Sequence, residues 1–245
     1  MHILVTRPEP DARTLRESLE AAGHRVTIEP LLVIEPCPPA ALPLDGIIAL
    51  VATSRNALRA LSAHPDLDLV RTLPLITVGP GTARTAADLG FSDIIAGTAT
   101  ARDLANLIGD RVTVGARLLH IRGDRVAYDL KSDLEARGFA VSEAIVYRSV
   151  PTAALSAETG AAIRAGSLDA VVLMSPRTGE IFTDLMHRAG LDDAASNLLY
   201  VCLSEAVARR LVPLAPKRIE VAAQPNSEEM LALIARKAAL SAAKS

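Results

Sequence analysis

The feature that most narrows what this chain can fold into is an alternation along its whole length. Short apolar runs are followed by longer amphipathic stretches. Apolar runs at 3–6, 25–28, 46–51, 74–78, 93–95, 117–121, 140–146, 169–173, 198–203 and 218–222 predict strands. Apolar residues at helical spacing predict helices over 10–22, 55–63, 81–89, 101–109, 126–137, 177–189, 205–211 and 226–240. Strands alternating with helices imply an α/β fold of parallel sheets covered on both faces. The apolar residues are mostly Ala, Leu, Val and Ile, which suits helices packed on parallel strands.

The pattern occurs twice. Residues 3–36 lie on 118–151 without a gap. Leu4, Arg7, Ala12, Leu15, Leu19, Gly23 and Pro36 then meet Leu119, Arg122, Ala127, Leu130, Leu134, Gly138 and Pro151. Further on, Thr53-Ser54 faces Met174-Ser175, Val78-Gly79 faces Leu203-Ser204, and Ala83-Arg84 faces Ala208-Arg209. Ile95 to Ile108 tracks Val221 to Ile234. Four units in the same order, twice, point to tandem duplication and two similar domains.

Breakers set the expected boundaries. Pro36-Cys37-Pro38-Pro39 with Pro43 is the Pro-rich segment, and its repeat partner is Pro151. Breakers at equivalent points imply that the chain crosses between domains twice. One domain is then 1–35 plus 151–245, and 38–149 is inserted, with a two-strand hinge near 36–37 and 150. The alternative is two sequential domains split near 113. The working site is expected in the cleft between them.

Several function classes find no support. Net charge is −2, so no global basic field recruits nucleic acid or anionic membrane, and 2% aromatic residues provide no base-stacking platform. Cys37 and Cys202 are far apart, form no zinc spacing, and read as reduced core thiols of a cytoplasmic protein. A strand starting at residue 3 leaves no room for a signal peptide, and no apolar run reaches membrane-spanning length. His2, His24, His64, His120 and His187 are scattered, form no metal pair, and read as surface or strand residues. Gly79-Pro80-Gly81 is followed by Arg84 where a dinucleotide fingerprint needs its third glycine. No metal or nucleotide cofactor is therefore expected.

Ligands of open α/β sheets bind beyond the carboxyl ends of the strands. Those ends hold Arg7, Ser54, Arg55, Gly79, Thr82, Arg122, Gly123, Ser175, Arg177 and Ser204. Small residues bring backbone N–H groups close, helix N-termini favour anions, and arginines bind carboxylates in a bidentate way. The set fits a polyanion. Each residue also has a structural reading. Ser54, Thr82, Ser175 and Ser204 stand where helix N-caps are wanted, and Arg7 and Arg122 could pair with Glu9 and Asp124. Arg55 and Arg177 begin helices, where a cation opposes the dipole. Tyr147 lies near a crossing point, as a half-buried strand residue or as a hydroxyl donating to a leaving group.

These residues together resemble the uroporphyrinogen-III synthase family of tetrapyrrole biosynthesis. The resemblance runs through ILVTRPEPDARTLRESLEAAGHRV, VATSRNALRAL, ITVGPGTARTAADLG, LLHIRGDR with VYRSVP, VVLMSPRTG and YVCLSEAVARRL. It implies two flavodoxin-like domains joined by two strands. It implies the substrate hydroxymethylbilane, a linear tetrapyrrole with eight carboxylates, closed to a macrocycle with the last ring inverted and water lost. The implied route passes through an azafulvene and a spiro intermediate, without a cofactor, in a cytoplasmic monomer that meets hydroxymethylbilane synthase transiently. Tyr147 falls on the family's motif tyrosine, a candidate acid, while Ser54 and Ser175 match its strand-end serines. Thr82 matches a motif threonine, but Val207 stands at the equivalent point of the second half, next to Glu205. Because the pyrrole chemistry is largely intrinsic to the substrate, no single substitution is expected to abolish activity. The rival readings are a non-catalytic two-domain binder of a small polyanion and a nucleotide-dependent α/β enzyme, which the absent fingerprint disfavours.

Overall fold

A computed structural model of the chain describes residues 1–98 and 100–242. It begins with β1 (His2–Val5), α1 (Asp11–Ala21), β2 (Arg25–Ile28) and β3 (Leu32–Pro36). Then come β4 (Ala49–Ala52), α2 (Arg55–Ala60), α3 (Leu67–Val70), β5 (Leu75–Thr77), α4 (Pro80–Asp88), β6 (Ile94–Ala96) and α5 (Ala101–Arg111). They are followed by β7 (Arg117–Gly123), α6 (Leu130–Ala136), β8 (Ala140–Pro151), α7 (Ala157–Arg164), β9 (Ala170–Leu173), α8 (Pro176–Ala189) and α9 (Asp192–Ser196). The remaining elements are β10 (Leu199–Cys202), α10 (Glu205–Ala208), a 3₁₀ segment (Arg209–Leu214), β11 (Arg218–Val221) and α11 (Ser227–Ala242).

The chain forms two compact units. The first holds Met1–Val33 and the chain from Val150 on; the second holds Ile34–Ser149. The chain therefore passes between units near 33–34 and 149–150, where the sequence reading set crossings near 36–37 and 150. The first unit carries a five-stranded sheet in the order β11-β10-β9-β1-β2, and all its pairs are parallel. The second carries a six-stranded sheet in the order β3-β8-β7-β4-β5-β6. From β8 to β6 its pairs are parallel.

Each sheet is buried on both faces, as parallel strands linked by helical crossovers must be. In the first unit Leu4, Val171, Leu173 and Tyr200 face a core with Phe182 and Met186 of α8. Ile3, Val5, Val172 and Val201 face the opposite core with α1 and α11. In the second unit Leu50, Leu75, Leu119 and Ile121 pack on α2, α3 and α4. Ala49, Val51, Ile76 and Leu118 pack on α5 and α6. Strand alternation decides which residue goes to which side.

The sequence repeat and the ladders agree in register. His2 pairs with Arg25 as Arg117 pairs with Ala140, and Leu4 pairs with Val171 as Leu119 pairs with Leu50. With β3 set aside, the two sheets have one strand order. The last unit of the repeat needs a correction. Tyr200 pairs with Ile219 as Leu75 pairs with Ile94, so Ile95 corresponds to Glu220 and not to Val221. The helices α5 and α11 keep the original match, so the extra residue lies in the loop that precedes α11.

Other expectations need correcting too. β3, α3, α7 and α9 lie outside the expected elements, because each is short and lacks a sustained period. The helix expected from 126 starts at Leu130, capped by Asp129 Oδ1, which accepts from Ser132 N at 3.1 Å. The helix expected over 205–211 tightens into 3₁₀ at Arg209, ahead of Pro213. Cys202 is a core thiol pushed up to about 12, chiefly by burial, whereas Cys37 is partly exposed. His64 lies in neither a strand nor the surface. It is buried in a loop, with Nε2 at 2.8 Å from the Pro39 carbonyl and Nδ1 accepting from Asp66 N.

α7 forms despite a weak pattern because β2 hands it a carboxylate. Glu29, directly after β2, is 8% exposed and accepts from Ser156 N at 2.9 Å, Ser156 Oγ at 2.6 Å and Thr159 Oγ1 at 2.5 Å. Ser156 in turn caps the helix by accepting from Thr159 N. Replacing Glu29 by Ala strands the buried Thr159 hydroxyl and removes the acceptor of Ser156, and equilibrium urea unfolding should show a loss of about 2 kcal/mol. Glu29→Gln, which keeps an acceptor, should lose less.

Candidate functional site

The expected site residues do lie at the carboxyl ends of the strands, but the structure gives them different work. In the first unit Ser175 caps α8 in a reciprocal box with Thr178. Ser204 occupies the cap position of α10 without a side-chain cap bond. Arg7 donates to Asp11 Oδ2 at 3.0 Å and to Met174 Sδ at 3.3 Å, so its carboxylate partner is Asp11 and not Glu9. Arg177 is the second residue of α8, and among the described residues its buried Nε has no hydrogen-bond partner. Val207 belongs to the core, fully buried against α8.

In the second unit Ser54 caps α2, accepting from Asn56 N at 3.1 Å. Arg55 opens the same helix and reaches towards Gly81. Gly79, with an extended backbone, is the cap of α4; Thr82, expected at that cap, is instead buried within the helix. Arg122 does not pair with Asp124. It clamps Glu143, with Nε 2.7 Å from Oε1 and Nη2 3.2 Å from Oε2, which neutralises its charge.

Three of the expected residues come together. Ser54, Gly123 and Tyr147 line a cavity of about 230 Å³ at the ends of β4, β7 and β8, with Thr53, Val78, Ala101, His120 and the segment 125–128. A β-bulge builds it. Arg122 pairs with Ile145, but Gly123 pairs with Tyr147, so β8 carries one extra residue there. Without the bulge Tyr147 would share the outward face of Ile145, which is 41% exposed. With it, Tyr147 turns back onto the face of Ala144 and Val146 and is 8% exposed.

The ring lands on Gly123. A Cβ on that glycine would stand 2.5 Å from Tyr147 Cζ, closer than atoms approach, so the site requires glycine for space. The phenol donates to Ser54 Oγ at 3.2 Å. Burial, more than any other influence, holds the phenol above its ordinary range, partly offset by the Ser54 hydrogen bond. Tyr147 is therefore a protonated donor at neutral pH.

Thr53 and His120 line the cavity from the other face of the sheet. His120 is 1% exposed, with Nε2 at 3.3 Å from Thr53 Oγ1 and Nδ1 at 3.4 Å from Glu143 Oε1. Its pKa is pulled down to about 4, first by burial and also by Arg122, against the opposing pull of Glu143. His120, expected as a surface or strand residue, is a strand residue that also lines the cavity. The usable signal was the polar spacing His120-x-Arg122 on one strand face, opposite Glu143 on the next. Arg125 and Tyr128 of the cavity wall were also missed; Tyr128 is held by donating to Asp133 Oδ2 at 2.6 Å. Among the described residues no three His, Cys, Asp or Glu side chains gather in a way that could hold a metal ion.

The His120 shift makes stability depend on pH. The unfolded chain protonates its histidine near 6.5, the folded protein only near 4, so acid favours unfolding through that window. Between pH 6.5 and 4.5 this group should cost about 2 kcal/mol. Urea unfolding at both values should show His120→Asn losing less than the wild type.

No curated protein matches the chain by sequence. A crystal structure of uroporphyrinogen-III synthetase from Helicobacter pylori 26695 is similar, with TM-score 0.64 and 18% identity, over 96% of this chain and 99% of that one. A crystal structure of a mutant uroporphyrinogen III synthase from the extremely thermophilic bacterium Thermus thermophilus gives TM-score 0.61 and 17% identity, over 98% and 99%. At such identities the likeness establishes a shared fold. The model of the family described as uroporphyrinogen-III synthase HemD matches residues 13–232, and the chain belongs to that family.

Proposed function

We propose that this protein is a uroporphyrinogen-III synthase. It closes hydroxymethylbilane to uroporphyrinogen III, inverting ring D and releasing water, which makes it a lyase. The family match over residues 13–232 carries this reading. The cavity agrees with it, since a protonated Tyr147 hydrogen-bonded to Ser54 is a proton source for a departing hydroxyl. Loss of water leaves an azafulvene, ring closure passes through a spiro intermediate, and a ring carbon gives up the balancing proton. No cofactor takes part in this route.

The proposed roles follow the placements. Tyr147 is the acid, Ser54 carries its proton towards the leaving oxygen, and Gly123 makes room for the ring. Arg7, Arg55, Gly79, Arg177, Ser175 and Ser204 stand at strand or helix ends and are the groups proposed to hold carboxylates of the substrate, whereas Thr82 is buried within α4 behind Gly79. Arg122 acts through Glu143 and not on the substrate. We place the enzyme in the cytoplasm as a monomer that takes its labile substrate from hydroxymethylbilane synthase by transient contact. Among the described residues no helix is long and apolar enough to cross a membrane.

The test is a coupled assay in which hydroxymethylbilane is generated in situ, without added cofactor, and the uroporphyrin isomers are separated after oxidation. Mostly type III product is expected. Only type I, the spontaneous isomer, from folded protein would overturn the proposal in favour of a non-catalytic binder. Tyr147→Phe should lower kcat at least about tenfold with little change in melting temperature. Gly123→Ala, which pushes the ring off Ser54, should reproduce much of that loss.

A further inference from the structure

The polarity of the hydroxyls in the second-unit cavity can be worked out from their partners. Ser54 Oγ accepts from Asn56 N at 3.1 Å and from the Tyr147 phenol at 3.2 Å, which fills both of its lone pairs. Its own proton is left to donate to a ligand. Thr53, the preceding residue, has its hydroxyl 3.3 Å from His120 Nε2. Whether Thr53 offers a ligand a proton or a lone pair therefore depends on the tautomer of His120.

The neighbours choose the tautomer. His120 and Glu143 are register partners on β7 and β8, and Nδ1 lies 3.4 Å from Glu143 Oε1. That carboxylate is fixed by the two-pronged clamp of Arg122 and cannot swing away. Nδ1 is buried, and among the described residues it has no hydrogen-bond partner within ordinary geometry. A lone pair on Nδ1 would face the carboxylate oxygen in a buried setting and be repelled. A proton there is attracted instead. With the proton on Nδ1, Nε2 is an acceptor, and Thr53 must donate to it. Neutrality of the ring at pH 7 follows from burial.

We infer that His120 is a positioning residue that, oriented by the Arg122–Glu143 pair, turns Thr53 into a hydrogen-bond acceptor beside the donor Ser54. The cavity thus presents a lone pair and a proton from consecutive residues. The complementary ligand is a ring N–H with an oxygen-bearing substituent on the adjacent carbon. A pyrrole carrying a hydroxymethyl group next to its nitrogen has this pattern. Thr53 takes the N–H and Ser54 the oxygen. This deepens the proposed function and rests on it for the substrate, while the tautomer stands on geometry alone.

Two measurements test it. Nitrogen-15 NMR of the histidines at pH 7 should show His120 as the neutral tautomer protonated at Nδ1. A proton on Nε2 would overturn the inference, and this reading needs neither a variant nor the substrate. In the coupled assay Thr53→Val should lower kcat/KM about tenfold, the effect of leaving one N–H unpaired, while Thr53→Ser stays within about threefold of wild type. His120→Phe should lower kcat/KM to a similar extent in the native background and hardly at all on top of Thr53→Val. A purely structural histidine would act equally in both backgrounds, and that outcome, or a Thr53→Val enzyme with native kcat/KM, would sink the idea. Wild-type protein that gives only type I product would instead defeat the proposed function, leaving the tautomer to be judged by NMR.

Discussion

Burial of parallel strands on both faces is the constraint on which everything else rests. A strand such as β4 or β9, with every residue buried, can sit only between two helical layers. Each helical crossover then returns the chain to the same edge, so the parallel strands of a unit end side by side. Polar residues expelled from the strands collect at those ends, where helix N-termini and loops meet. The cavity of the second unit is a product of this arrangement before any particular side chain is considered.

One irregularity converts that edge into a site. The bulge between Arg122 and Gly123 changes the parity of β8, and a tyrosine that would have faced outward is laid across a glycine. The two faces of the sheet then contribute different chemistry. Ser54 and Tyr147 belong to the face of Leu50 and Ile121, and Thr53 and His120 to the face of Val51 and Leu118. A ligand at the strand ends meets both sets at once.

Behind the cavity wall, charge is paired. Arg122, Glu143 and His120 form a cluster in which the guanidinium and carboxylate cancel and the imidazole stays neutral. Burying a lone charge would be costly, whereas a paired and hydrogen-bonded cluster is tolerated and fixes geometry. The arginine expected to reach for the substrate is thereby occupied in orienting its neighbours. The registers of β1 with β2 and of β7 with β8 match, while the cluster itself belongs to the second unit.

Much of this was legible in the amino-acid sequence, for local reasons. Apolar runs of strand length, helical spacing and the repeat of 3–36 on 118–151 determined the α/β class, the order of the elements with a sustained period and the residues at their strand ends, because these depend on periodicity along the chain. The motifs around Tyr147, Ser54 and Ser175 carried the family resemblance in the same way. What required the tertiary structure was every fact that depends on residues far apart meeting. Glu29 holding α7, Arg122 turned to Glu143 instead of Asp124, Thr82 buried behind the Gly79 cap, and His120 drawn into the cavity are of this kind. A one-residue bulge leaves no periodic trace in a twelve-residue strand. Yet it reverses the direction of every side chain beyond it, and so only the folded chain decides where Tyr147 points.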